Sequence, residues 1–268
     1  YDIASENELL VAVAYEGSRL FRDRLTAENA LSMLDNIITG TIAQEFGDVP
    51  VFDGVYSTWA SAEKTGQLGP MSADEFQQTV SQSIALYERE FKELNILLFP
   101  EVLHHIAHMD RVLSSKAGNA NLMLVGRSGV GRRAMVTLVA YMHNMELHTP
   151  SVTNNFTMKA FRNDIKTVLQ VAGVQGMAAL YFLEDHQMTD VSFLECINSL
   201  LSSGEVPGLY TPEELATLLA PLADEMAQDG QYRNLYQFFV SRVKRNLRVV
   251  LSMDPAHPEF VMRCESNP

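Results

Sequence analysis

The sequence predicts an α/β fold: a parallel sheet with helices on both faces, carrying a phosphate-binding loop (P-loop) and preceded by a mainly helical segment. Short apolar runs at 121–125, from Leu147, at 179–183 and at 249–253 lack polar alternation and are separated by helical patterns. That is the mark of strands buried on both faces of a parallel sheet. The first run passes straight into a glycine turn, GRSGVGRR at 126–133, and then into a helical pattern at 134–142. About the first hundred residues instead space their apolar positions three and four apart, as helices do.

The chain has 268 residues, 47% apolar and 20% charged. Such a length holds one large or two modest domains with a well-buried core. The composition excludes a disordered tail, a collagen-like fibre and a disulfide scaffold. No apolar stretch reaches about 18 residues, so no membrane span is expected. The 20 basic and 33 acidic residues leave a net charge of −13, which argues against nucleic acid, an anionic membrane or an acidic filament as a direct partner. Cys196 and Cys264 have no CxxC neighbour, as expected of a reducing, intracellular compartment. The opening YDIASENELL has neither the basic region nor the apolar core of a signal peptide, and it lacks an initiator Met. The chain is expected to be a piece of something longer.

The first helix is expected from Glu8 to about Leu25, with Leu9, Val13, Leu20 and Phe21 as its apolar positions and Arg22 and Arg24 in its last turn. From Gly40 to Pro70 the Gly, Pro, Thr and Ser content suggests a looser stretch, in which Phe52, Tyr56 and Trp59 form a packing cluster. Ser72 and Glu75 have capping-box spacing and open a helix with the stripe Phe76, Val80, Ile84, Tyr87 and Phe91. Pro100 suits the first turn of another helix, with Val102, Leu103, Ile106 and Met109 inward. A helix from Ser192, boxed by Glu195, stops at Gly204; another starts at Thr211, with Pro212 and Glu214 in agreement.

The glycine turn carries the chemistry. Gly126, Gly129 and Gly131 let successive amides, through Arg127, Ser128 and Val130, converge on one oxyanion, and the following helix adds its positive end. The spacing GxxxxG is met, but Arg132 replaces the usual Lys and Arg133 the usual Ser or Thr. The run at 179–183 ends in Glu184 and Asp185, and that at 249–253 ends at Asp254. These carboxylates fall at the carboxyl edge of the sheet, where ligands of open α/β sheets bind. His104, His105 and His108 share one helix, yet no third metal ligand stands out, and no metal is assigned. Asp110 and Arg111 precede the first strand and could lie near the base of a nucleotide.

Further segments carry a resemblance: YEGSRLFRDRL at 15–25, LFPEVL at 98–103, MDRV at 109–112 and SLLSSGEVPGLY at 199–210. With these the chain resembles the motor region of dynein heavy chains, at the fourth AAA+ module of the ring. GRSGVGRR, LED at 183–185, MDP at 253–255 and CESNP at 264–268 look most like the intraflagellar-transport branch. The resemblance implies that 1–85 is the end of the third module and a linker, and that 86–268 is the large α/β subdomain of the fourth, incomplete at its C-terminus. It implies an ATP-hydrolysing heavy chain that moves toward microtubule minus ends in cytoplasm and cilium or flagellum. Partners would be the neighbouring AAA+ modules and, through the parent chain, intermediate and light chains and intraflagellar-transport particles. The microtubule would be reached by a stalk outside this chain. By position, residues 126–133 take the phosphate loop, Glu184 the metal-side acid, Asp185 the catalytic base and Asp254 the sensor.

The departures from active ATPases point one way. Arg133 removes the hydroxyl that ligates Mg²⁺. Arg132 is a bulkier fork than Lys. Asp185 is one methylene shorter than the usual Glu, and a displacement of about 1 Å can cost on the order of a hundredfold in rate. Asp254 sets a carboxylate where a triphosphate would end, favouring a diphosphate. The module is therefore expected to hold ADP or ATP without efficient hydrolysis. Arg133 either replaces the metal by pairing with Glu184 or Asp254, leaving Mg²⁺ dispensable, or points to solvent. Two other readings stay open: a fully active ATPase module and a nucleotide-free scaffold.

Overall fold

Charge placement matches the dipole of the first helix, α1 (Glu6–Arg22): Glu6 and Glu8 lie in its first turn, Arg19 and Arg22 in its last. This computed structural model describes the chain except residues 2, 4, 23–24, 26, 48–51, 53, 61–65, 116–119, 153–155, 189 and 266–268. The chain divides into two units, Tyr1–Thr79 and Val80–Pro268.

In the first unit α1 packs on α2 (Glu28–Phe46), and Arg22 reaches Asp35 at 3.2 Å. Leu9, Val13, Leu20 and Phe21 are each about half exposed, and Ala12 is the buried residue. Arg24 lies outside the described residues. The stretch expected to be loose from Gly40 begins as helix, since α2 runs on to Phe46. One interior glycine costs about 1 kcal/mol, too little to end a helix that has apolar residues on either side. The same stretch also holds two strands that the sequence reading missed, β1 (Gly54–Ser57) and β2 (Gly69–Ser72), paired antiparallel with Gly54 opposite Ser72. Four-residue strands are too short to display a clear period of two. Phe52 and Tyr56 do cluster, with ring centroids 5.1 Å apart and Tyr15 beside them, whereas Trp59 stacks on Phe76.

Helix α3 (Ala73–Glu90) carries the expected capping box. The Ser72 amide donates to Glu75 Oε2 at 3.1 Å, and the Glu75 amide donates to Ser72 Oγ at 3.3 Å. Phe76 and Val80 are buried, while Phe91 lies past the helix end and is exposed.

The second unit is built from α4 (Pro100–Leu113), β3 (Leu122–Val125), α5 (Arg132–Met142), β4 (Glu146–His148), α6 (Met158–Leu169), β5 (Ala179–Glu184), α7 (Val191–Ser203), α8 (Pro212–Leu219), α9 (Ala223–Asp229), α10 (Leu235–Asn246), β6 (Leu247–Met253) and α11 (Phe260–Glu265). The strands form one parallel sheet in the order β3-β6-β5-β4, with Leu122 opposite Val250, and Ala179 opposite both Leu247 and Glu146. Alternate residues serve opposite faces. Tyr181 and Leu183 of β5 and Val249 and Leu251 of β6 join the main core with residues of α6, α7, α8 and α10. Leu180, Phe182 and Val250 face the side covered by α4 and α5. Covering thins at β3, an edge strand whose Met123 and Val125 are about half exposed. Buried Arg248 joins the layers, donating to Leu113 O at 3.1 Å and Ser115 O at 2.8 Å.

Helix α7 starts differently from expectation. Its cap is Asp190, whose carboxylate accepts the Ser192 amide at 2.8 Å and the Ser192 hydroxyl at 2.5 Å. A carboxylate accepts both donors at once, so it displaces the serine as cap. Gly204 ends the helix in the left-handed region, as read, and Thr211 and Glu214 make the expected box on α8.

Helix α6 continues into a π turn, Gln170–Gln175, that lies against α10. A Cβ on Gly173 would overlap the Phe239 ring and approach Val243 Cγ2 at 2.9 Å. Gly173→Ala is expected to lower the unfolding free energy by about 1–3 kcal/mol; an unchanged urea midpoint would contradict this packing.

Candidate functional site

Register alone gathers the candidate residues. Val125 pairs with Met253 and Glu184 with Ser252. The loop after β3, the acids after β5 and Asp254 after β6 therefore share the carboxyl edge of the sheet.

The loop leaves β3 pinned, the Gly126 amide donating to Met253 O at 3.0 Å. Gly129 (φ 87°) and Gly131 (φ 81°) adopt the left-handed conformation that side chains resist, which turns the chain back into α5. The Met135 amide closes on Gly131 O at 3.0 Å. The amides of Arg132, Arg133 and Ala134 come ahead of that bond, at the positive end of the helix. Ser128 and Val130 lie exposed on the turn.

The two arginines part ways. Arg132 Nη1 donates to Met253 O, so its guanidinium is tied to the end of β6. Arg133 turns to β5: its Nε donates to Glu184 Oε2 at 3.1 Å, its Nη2 bonds the same oxygen, and its guanidinium lies 6.0 Å from the Phe182 ring centroid. Glu184 also caps the turn Asp185–Gln187, and the Glu184 amide donates to Gln187 Oε1 at 2.8 Å. Buried Gln187 donates onward to Thr149 Oγ1 and Pro150 O after β4, holding the acid pair in place.

Each oxygen of Asp185 accepts a donor, Oδ1 from Arg263 Nη1 at 3.1 Å and Oδ2 from the Asp254 amide. Arg263, on α11, is 4% exposed and also donates to Met188 O at 3.0 Å and Glu259 Oε2 at 2.8 Å. Asp254 in turn accepts the Ser128 amide on Oδ2 at 3.1 Å and the Ala256 amide on Oδ1 at 2.9 Å. Its carboxyl is held below the usual carboxylate range, chiefly by the Ala256 amide and, against an opposing desolvation, by the Ser128 amide and by Arg132 and Arg127.

The loop, Glu184, Asp185 and Asp254 thus lie along one edge, linked by bonds from loop to acids. Arg263 was missed. The Glu259 to Arg263 spacing marks a helical pair, but nothing local shows that Arg263 reaches Asp185, 78 residues earlier. Asp110 is fully buried with a carboxylate oxygen 2.9 Å from His143 Nε2, at the far end of α5, roughly 16 Å along the helix from the loop. The His104 and His108 rings lie 4.1 Å apart, and among the described residues no group of three or more His, Cys, Asp or Glu is placed to hold a metal ion.

Two outcomes follow from these bonds. Arg263→Met strands a mostly buried carboxylate and should lower the unfolding free energy by about 3–5 kcal/mol, with much of the loss recovered when Asp185→Asn is added. Additive losses in that double-mutant cycle would show that the two side chains do not act as a pair. Asp254, with its carboxyl depressed in the folded state, stabilises above the ordinary carboxylate range, and that contribution disappears as pH falls through the folded value. Melting temperatures of the chain and its Asp254→Asn variant should differ at neutral pH and converge in acid; a constant gap would contradict this.

Residues 94–268 match the family model for the P-loop containing dynein motor region D4. The chain is 46% identical over 279 aligned residues to cytoplasmic dynein 2 heavy chain 1 of Chlamydomonas reinhardtii, a match covering 100% of this chain and 6% of that protein. It is 41% identical to cytoplasmic dynein 2 heavy chain 1 of Homo sapiens, over 97% of this chain and 6% of that protein. It is 31% identical to the cytoplasmic dynein heavy chain of Dictyostelium discoideum, over 95% of this chain and 5% of that protein. The chain thus spans about one-twentieth of the relatives' length, with higher identity to the dynein 2 chains than to the Dictyostelium one. A P-loop at the head of a parallel sheet, an acid pair on the same edge and a D4 match over most of its length establish that this chain belongs to the dynein heavy chain family.

Proposed function

We propose that this chain is a nucleotide-holding, non-hydrolysing module of a dynein 2 heavy chain. The observation that carries the reading is the Arg133–Glu184 pair, which sets a guanidinium on the carboxylate that would otherwise serve a metal.

The loop and the first turn of α5 fit a phosphate ligand, because glycine-permitted conformations and amides ahead of the first helical bond converge at a positive helix end. Arg127, Arg132 and Arg133 add positive charge to that end in a chain whose net charge is −13. The residues fit Mg²⁺ poorly. Position 133 offers no hydroxyl, and Glu184 already accepts two guanidinium bonds from it. Arg133 is then the fixed cation of the site, and bound ADP or ATP needs no metal to neutralise it. Hydrolysis would also need a base free to orient water. Asp185 has the position, but both its oxygens are committed, to Arg263 and to the Asp254 amide. A nucleotide held this way stabilises the fold by mass action and keeps adjacent modules in register.

Similarity to dynein 2 heavy chains over nearly the whole chain supports the wider assignment. Residues 1–85 close the third AAA+ module and 86–268 form the large subdomain of the fourth. The parent hydrolyses ATP at other modules and drives minus-end-directed retrograde intraflagellar transport in cytoplasm and cilium. Its partners are intermediate and light chains and transport particles, and it meets the microtubule through a stalk outside this segment.

The test is photolabelling of the full-length heavy chain with azido-ADP, mapping label to peptides of this segment. Label should persist when Mg²⁺ is removed with EDTA. Absence of label at any concentration, or its abolition by EDTA, would overturn the proposal.

A further inference from the structure

The Asp254 carboxylate accepts an amide of the very loop that the function above assigns to a phosphate. The Ser128 amide, on the exposed turn, donates to Oδ2 at 3.1 Å across 126 residues of sequence. This is no chance reach of a loose side chain. The Asp254 backbone is fixed by its own amide on Asp185, Asp185 is gripped by buried Arg263, and the Ala256 amide orients the other carboxylate oxygen at 2.9 Å. On the loop side, the Gly126 amide and the Arg132 guanidinium both bond Met253 O, one residue before Asp254. The loop is thus drawn against a preset anion.

We propose that Asp254 is a built-in competitor for the phosphate loop: its carboxylate holds the Ser128 amide until the phosphate of an arriving nucleoside diphosphate displaces it. This rests on the reading that the loop holds a nucleotide. A carboxylate and a phosphate are both anions that seek the same amide donors, and the charged acceptor makes the stronger bond. They also repel each other at close range, so they cannot share the turn without cost. Asp254 stays ionised at neutral pH, since the Ala256 and Ser128 amides and Arg132 and Arg127 hold its carboxyl low. The device does two things. It keeps the glycine turn ordered by lending it an internal anion, and it sets a threshold of nucleotide concentration below which the loop remains closed on itself.

Asp254→Asn removes the competing anion. Its single amide oxygen replaces Oδ1 as acceptor for the Ala256 amide, while the charged oxygen that held the Ser128 amide is gone. In the full-length heavy chain, azido-ADP labelling of this segment's peptides should reach half-maximum at a concentration about tenfold lower in Asp254→Asn than in the unaltered chain. Asp254→Ser, which retains a short acceptor for the Ala256 amide without charge, should shift the curve in the same direction and provides the measurement if the first variant fails to fold. Unchanged or higher half-labelling concentrations in the folded variants would overturn the inference while leaving nucleotide binding intact. A chain that takes no label with Asp254 present or replaced would instead remove the function on which it rests.

Discussion

Met253 O, the last carbonyl of β6, accepts both the Gly126 amide and the Arg132 guanidinium. The rest of the site follows from that anchorage. A glycine turn is intrinsically permissive, and its convergence of amides has a binding use only when the turn is held in one shape. Here the neighbouring strand holds it at both ends. β3 enters in parallel register with β6, and the first residue of α5 returns to the same carbonyl. β6 is in turn buried along its whole length between two helical layers. The main core thus serves the site by fixing the height at which β6 stops.

From that edge outward the charges are matched in pairs. Arg133 meets Glu184, Arg263 meets Asp185, and loop amides meet Asp254. Three acids set close together would repel one another. Separate partners offset that repulsion in a chain that is already strongly acidic. Under the proposed function, the same matching withholds what an ATPase needs from its acids, an open metal shell and a free base. A stable, compensated cluster and a catalytic one make opposite demands on the same side chains.

Local residue types made much of this legible. The four sheet runs, the glycine loop, the capping boxes at Ser72 and Thr211 and the stop at Gly204 all depend on neighbours within one turn or strand. The misses have separate causes. β1 and β2 are too short to show a period, and the cap of α7 moved from Ser192 to Asp190 because two acceptors stood within two residues. The apolar positions of α1 are about half exposed, since helical spacing tells only what a helix could bury, not whether anything covers it.

By itself, then, the sequence determined the alternation of buried strands and helices, the P-loop and the identity of the side chains at the sheet edge, because those are set by spacing along the chain. Only the tertiary structure decided whom those side chains meet: Arg133 with Glu184 rather than Asp254, Arg263 with Asp185, and Asp254 with a backbone amide of the loop. Such pairings bring together residues 51, 78 and 126 positions apart. Strand order and register create that proximity, and no local spacing rule encodes it.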